Sequence, residues 1–260
     1  MTLFASPMLA AILAVCDFTA KINWDNLDSF SFSNVKHVST PVKGIVVDHH
    51  GLGCAVFGKS SAKGFEERTS EDGARGIVWI HPHYSPWAWM NDGAVKHTDR
   101  LIEVVLSHYG LPANTPVCSS GGSMGGLGAL VFARYSRHSV RRVVSNCGVA
   151  DLVYHYSERP DTARTIVSAF AGAPDFDAAV KAHSPLHLAL AGKMPDIDYV
   201  LFHSDKDAGV SKERHGDKLA AALKASVRSV EYNISAGTGH TELTPELVKC
   251  YYDSIRETFE

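Results

Sequence analysis

The 260-residue sequence predicts an α/β fold with a mostly parallel central sheet, helices on both faces and a small cap between the sixth and seventh strands. Three observations point there. Short apolar runs of strand length alternate with stretches of helical spacing, and this rhythm needs parallel strands joined by crossover helices. Several of those runs end in loops rich in Gly, His and Asp, the residue types that gather at the carboxyl ends of parallel strands. One run, 115–120, passes straight into a helix-forming stretch, 124–137, through Gly121-Gly122-Ser123-Met124-Gly125. A serine at so sharp a strand-to-helix turn is crowded by any side chain two positions away, and glycine at 121 and 125 removes the obstruction.

The segments follow in order. Residues 1–25 begin with an apolar stretch, 8–16, of signal-peptide length. No Lys or Arg precedes it, Val15 is large for a cleavage site, and it is shorter than the ~20 residues of a membrane span. It is expected to be an N-terminal helix packed on the domain, with a weak export signal as the alternative. Residues 26–260 are expected to form one domain. Phe30 and Phe32 alternate with Ser29, Ser31 and Ser33, as in a half-buried strand. The run 43–47 is the first fully buried strand and leads into Asp48-His49-His50-Gly51-Leu52-Gly53. Residues 54–75 read as loop and a short charged helix. The strand 76–80 opens into a loop, 81–91, that carries Tyr84, Trp87 and Trp89.

Residues 94–109 have amphipathic spacing and end at Gly110, where a left-handed cap fits. Strands are expected at 142–146, 198–202 and 229–234, and a helix at 211–226. A last helix starts at Thr244-Pro245 with Leu247, Tyr251, Ile255 and Phe259 on one stripe. Residues 151–195 form the longest stretch without a strand signal and are the candidate cap.

Composition excludes several partners. A formal net charge of -3 argues against nucleic acid and anionic membranes. Cys16, Cys54, Cys118, Cys147 and Cys250 show no metal spacing, and buried free thiols fit a reducing, cytoplasmic setting. His49, His50, His81 and His83 end neighbouring strands, but they lack carboxylate or thiolate partners at fixed spacing, so no metal and no cofactor are expected. Oligomeric state is left open.

Ser123, an acid (Asp205 or Asp207) and His240 therefore occur in that order, each in a loop after a strand. This order resembles that of the α/β-hydrolase superfamily. The segments Ser184-Pro185, 201–210 and Gly237-Thr238-Gly239-His240 are similar to the catalytic domains of prolyl-oligopeptidase-type hydrolases. The resemblance implies Ser123 as nucleophile, Asp207 as acid and His240 as base. Ser204 stands where the pattern of that family has glycine, which leaves Asp205 as the alternative acid. His50-Gly51-Leu52-Gly53 resembles the oxyanion loop of the superfamily, implying oxyanion donors at Met124 and at Leu52 or Gly51.

A neutral imidazole can take the serine proton during attack, and a carboxylate fixes its tautomer and steadies the imidazolium. His50, Tyr84, Trp87 and Trp89 are candidate substrate-binding residues, flat faces suited to a sugar or aryl group. The expected activity is hydrolysis of a small-molecule carboxylic ester through an acyl-serine. A peptidase is the alternative, although the chain length leaves no room for the propeller of the oligopeptidases and shows no acidic pair for a substrate amino terminus. A non-catalytic binding protein on the same fold is a further alternative.

Overall fold

In the computed structural model the described residues are 18–54 and 59–260. The expectations for the apolar stretch 8–16 lie outside them. Among the described residues seven strands form one sheet in the order β1-β3-β2-β4-β5-β6-β7. These are β1 (Ser31–Ser33), β2 (Gly44–His49), β3 (Ile77–Pro82), β4 (Val117–Gly122), β5 (Val140–Asn146), β6 (Asp198–Ser204) and β7 (Ser229–Ser235). Among the described residues only the β1–β3 pairing is antiparallel, and the other pairings are parallel.

Nine helices accompany them among the described residues: α1 (Lys59–Ala74), α2 (Asp92–Tyr109), α3 (Met124–Tyr135), α4 (Leu152–Glu158), α5 (Pro160–Phe170), α6 (Phe176–Ala182), α7 (Pro185–Leu190), α8 (Gly216–Leu223) and α9 (Pro245–Arg256).

Successive strand residues point to opposite faces, so each central strand feeds two cores. Ile45, Val47, Val78, Ile80, Val143 and Leu201 join α2, α3 and α8 on one face. Val46, Ile77, Trp79, Cys118, Val144 and Phe202 meet Phe65 of α1 and Ile255 of α9 on the other. The stripe expected on the last helix is present: Leu247, Tyr251 and Phe259 pack against the second core. At α2, the Asn91 side chain accepts from the Ala94 N–H, and Gly110 ends the helix at φ 63°, as the sequence implied.

Three details differ from expectation. The segment 151–195 lies between the fifth and sixth of the described strands, one place earlier in the count than expected. Its last helix, α7, buries Leu186, Leu188 and Ala189 in the main core, so only its earlier part stands over the carboxyl ends of the strands. In β1 the serines are the buried residues and Phe32 is half-buried. The Ser31 hydroxyl donates to Leu27 O, which is what lets a polar side chain face inward at this edge. α1 is also longer than the short helix expected, running for 16 residues. Among the described residues no helix is long and apolar enough to cross a membrane.

Candidate active site

β4 delivers Ser123 at φ 59°, ψ −124°, a region that non-glycine residues seldom occupy. The turn is held on both sides. Ser123 N–H donates to Asn146 O of β5 at 2.9 Å, and its carbonyl accepts from Leu127 N at 3.2 Å. A Cβ on Gly121 would stand 2.5 Å from Gly125 O, and one on Gly125 would stand 2.0 Å from His49 O. Glycine at both positions is therefore what allows the elbow to close onto the end of β2.

Three side chains meet there from loops far apart in sequence. His240 Nε2 lies 2.9 Å from Ser123 Oγ, and His240 Nδ1 lies 2.7 Å from Asp207 Oδ2. The other oxygen, Asp207 Oδ1, accepts from the N–H groups of Gly209 and Val210 at 2.8 and 2.9 Å. Burial pushes the Asp207 pKa up, but the hydrogen bonds from His240, Val210 and Gly209 outweigh it and hold the carboxyl below its ordinary range. Asp207 is thus ionised and fully used as an acceptor. Asp205, the alternative acid, faces elsewhere: its Oδ1 accepts from Gly237 N–H at 2.7 Å.

The loop bearing His240 is itself clamped. Asn146 Nδ2 donates to Thr241 O at 2.9 Å, Ser204 Oγ donates to Glu242 O at 2.7 Å, and Glu242 Oε2 accepts from Gly239 N–H at 2.9 Å. Thr241 takes a positive φ of 61° beneath these bonds. Neither Asn146 nor Glu242 stood out in the sequence, because each acts through a backbone group rather than through a recognisable motif.

Ser123 and His240 open onto a cavity of about 610 Å3 that His50, Gly51, Leu52, Trp89, His155, Arg159 and Thr162 also line. Met124 begins α3, so its N–H has no intrahelical acceptor and stands beside the serine. Of the expected substrate-binding residues, His50 and Trp89 border this cavity and Tyr84 and Trp87 do not. The reason is the backbone of the loop. Trp89 and Met90 both adopt positive φ, 45° and 50°, which turns Trp89 inward, while Trp87 is left 41% exposed to solvent.

Tyr84 is buried in a chain of hydrogen bonds under the site. Its hydroxyl donates to His49 Nδ1 (3.2 Å), His49 Nε2–H donates to Ser119 Oγ (3.1 Å), and Ser119 donates to Ala129 O (3.1 Å). Burial, reinforced by His50 and His81 against the opposing pull of Asp48, lowers the His49 pKa to about 3, so the ring is neutral. Both its nitrogens are occupied. His81 Nδ1 bonds instead to Asp48 Oδ2 at 3.1 Å, so the histidines at the ends of β2 and β3 do not converge as ligands.

Among the described residues, two other sets bring three potential metal-binding atoms within 4.8 Å of one another. Cys147, Asp207 and His240 form one, but there the carboxylate and imidazole already engage each other. His155, Glu158 and His215, on and beside the candidate cap, form the second.

No family model matches the sequence, and no curated protein matches it. Solved structures do resemble it. A puromycin-hydrolysing peptidase of Mycobacterium tuberculosis aligns with TM-score 0.59 at 17% identity, over 85% of this chain and 33% of the other. Esterase B from Lactobacillus rhamnosis aligns with TM-score 0.61 at 15% identity, over 85% and 76%. An acylaminoacyl peptidase aligns with TM-score 0.62 at 15% identity, over 85% and 38%. The chain thus spans about a third of the length of the peptidases and about three quarters of the esterase. With the strand order and the elbow, these likenesses show that the chain has the α/β-hydrolase fold.

Proposed function

We propose that this chain is a serine hydrolase that cleaves carboxylic esters of small molecules through an acyl-Ser123 intermediate. The observation that carries the reading is the continuous hydrogen-bonded line from Ser123 Oγ through His240 to Asp207. Ser123 attacks the ester carbonyl as His240 Nε2 takes its proton. Asp207, ionised and held by two backbone N–H groups, keeps the His240 proton on Nδ1 and stabilises the imidazolium without accepting the proton itself. His240 then passes its proton to the departing alkoxide, and the same steps run with water release the acid.

The tetrahedral oxyanion is assigned to the N–H groups of Met124 and of Leu52 or Gly51, each worth about 3 kcal/mol of barrier. The strained backbone at Ser123 supports that assignment, because it presents Oγ and the Met124 N–H to the same side of the turn.

Esters are favoured over peptides by the cavity lining. Among the described residues that border it there is no Asp or Glu to receive a substrate amino terminus. Trp89, 1% exposed, adds an apolar edge to the cavity wall. The free thiols of Cys54, Cys118, Cys147 and Cys250 are consistent with a cytoplasmic setting.

The test is an initial-rate panel of acetyl, butyryl and octanoyl nitrophenyl esters, acetylated and feruloylated sugars, and a proline-containing aminoacyl amide, with Ser123→Ala as the blank. Ester turnover with a silent amide supports the reading. Amide cleavage at a comparable rate moves the chain to the peptidases, and silence throughout contradicts enzymatic function.

A further inference from the structure

The candidate cap carries a second carboxylate–imidazole pair on the cavity that holds Ser123. Glu158 Oε2 accepts from His155 Nδ1 at 2.7 Å and from His215 Nε2 at 3.0 Å. The tautomer of His215 is set by the main chain, because its Nδ1 accepts from the N–H groups of Ala150 and Asp151 at 3.1 and 3.0 Å. A ring that accepts at Nδ1 carries its proton on Nε2, and that proton goes to Glu158. Glu158 is therefore an acceptor for both rings. Burial pushes its pKa up, but the bonds from His215 and His155 bring it below the ordinary range.

The same tautomer argues against a metal here. With Nε2 of His215 protonated, the cluster offers no free imidazole lone pair to an ion between the rings.

What remains is a hydrogen-bond relay that ends at His155. This ring is 2% exposed, donates from Nδ1 to Glu158, and lies edge-on to Trp89 at 5.6 Å between ring centres. Burial keeps it neutral by lowering its pKa, against the pull of Glu158. In that state Nε2 is an acceptor. It has no protein partner among the described residues, and the ring borders the cavity. The ring stands on the cavity wall, and a three-residue scaffold that fixes its tautomer presents a preset acceptor to a donor that enters the cavity.

The donor can be narrowed. Arg159 borders the same cavity, its guanidinium turned by Asp161 at 2.6 Å, and no carboxylate among the described residues lines it. With Arg159 paired to Asp161 and Glu158 already accepting from both imidazoles, no uncompensated carboxylate among the described residues faces the cavity here to hold an ammonium, and a neutral hydroxyl is the donor that fits.

We propose that His155, oriented by Glu158 and His215, is a specificity-determining residue that accepts a hydrogen bond from a hydroxyl group of the substrate, so that hydroxylated esters are preferred to their deoxy counterparts. The inference rests on the serine-hydrolase reading and names the substrate class of that site. The hydroxyl belongs either to the acyl group or to the alcohol, and matched pairs separate the two.

The experiment compares kcat and KM for 4-nitrophenyl 3-hydroxybutyrate against 4-nitrophenyl butyrate, and for 2,3-dihydroxypropyl butyrate against propyl butyrate. Wild type, His155→Phe, His155→Gln and Glu158→Gln are assayed, with fluorophosphonate labelling as the measure of an intact serine. The wild type is expected to favour the hydroxylated member of one pair by about tenfold or more in kcat/KM, mainly through KM. His155→Phe is expected to bring that ratio to within about threefold, His155→Gln to restore part of it through its amide oxygen, and Glu158→Gln to weaken it.

A labelled, ester-cleaving wild type with no preference in either pair overturns this inference alone. So does a preference that persists in His155→Phe, or in Glu158→Gln if the phenylalanine variant does not fold. A wild type that neither labels nor cleaves esters overturns the hydrolase reading as well.

Discussion

Replacing Gly125 with alanine tests whether the elbow depends on the contact between its second glycine and the end of β2. The added Cβ would stand 2.0 Å from His49 O, 2.7 Å from His49 C and 2.9 Å from His50 O, all of them backbone atoms that have no rotamer to yield. Cβ atoms do not approach within 3.0 Å, so the elbow and the end of β2 must part by about 1 Å. Overpacking of this kind costs about 1–3 kcal/mol of stability.

The functional cost is larger in proportion, because the segment pushed away leads directly into Gly51 and Leu52, the assigned second oxyanion donors. A displacement of about 1 Å between reacting groups is worth about 100-fold in rate. The assay is kcat/KM on 4-nitrophenyl butyrate together with a urea unfolding curve. Gly64→Ala is the control: it lies within α1 with nothing in reach of the new Cβ, and it should stabilise by about 0.5–1 kcal/mol without loss of activity. A Gly125→Ala protein that retains activity within about threefold of wild type would refute the reasoning about the turn.

Two further outcomes follow from the hydrogen bonds. Asp207→Asn should lower kcat by about 10,000-fold, while Asp205→Asn, which loosens only the bond to Gly237, should stay within about tenfold; steady-state kinetics on both decides the acid, and the reverse order contradicts the assignment. His49 refuses a proton in the folded chain until pH falls to about 3, whereas the unfolded chain takes it up near 6.5. The unfolded state thus binds more protons across that window, so the contribution of His49 is full above pH 6.5 and is lost as pH falls, at up to about 1.4 kcal/mol per pH unit. Urea midpoints from pH 7 to 4 should fall less steeply for His49→Gln than for wild type, and equal slopes would count against the buried neutral ring.

The parts of the fold that were legible in the sequence are those set by local constraints. Gly121, Ser123 and Gly125 announce a turn that few other residues permit, Gly110 marks a helix end, and the alternation of apolar runs with helical spacing gives a parallel sheet. The parts that were not legible depend on contacts across the chain. Trp87 and Trp89 look equivalent by spacing, and only the positive φ at 89 and 90 sends one into the cavity and the other to solvent. Ser31 faces inward because Leu27 O is there to accept from it, a partner no periodicity reveals.

The candidate cap is the least legible part of the sequence. His155 and Glu158 share a short helix, but His215 comes from the loop before α8, and the backbone donors that fix it come from residues 150 and 151. Nothing in the separate segments foretells that relay. In the sequence Asn146 reads only as the end of a strand, although its side chain reaches 95 positions along the chain to hold Thr241.

The central claim is that Ser123, activated by His240, is the nucleophile, and its most direct measurement is fluorophosphonate labelling followed by mass mapping of the modified peptide. One adduct is expected, located on Ser123, formed quickly in the wild type, absent in Ser123→Ala and greatly slowed in His240→Gln. An adduct on another residue, or a wild type that stays unlabelled while folded, would contradict it.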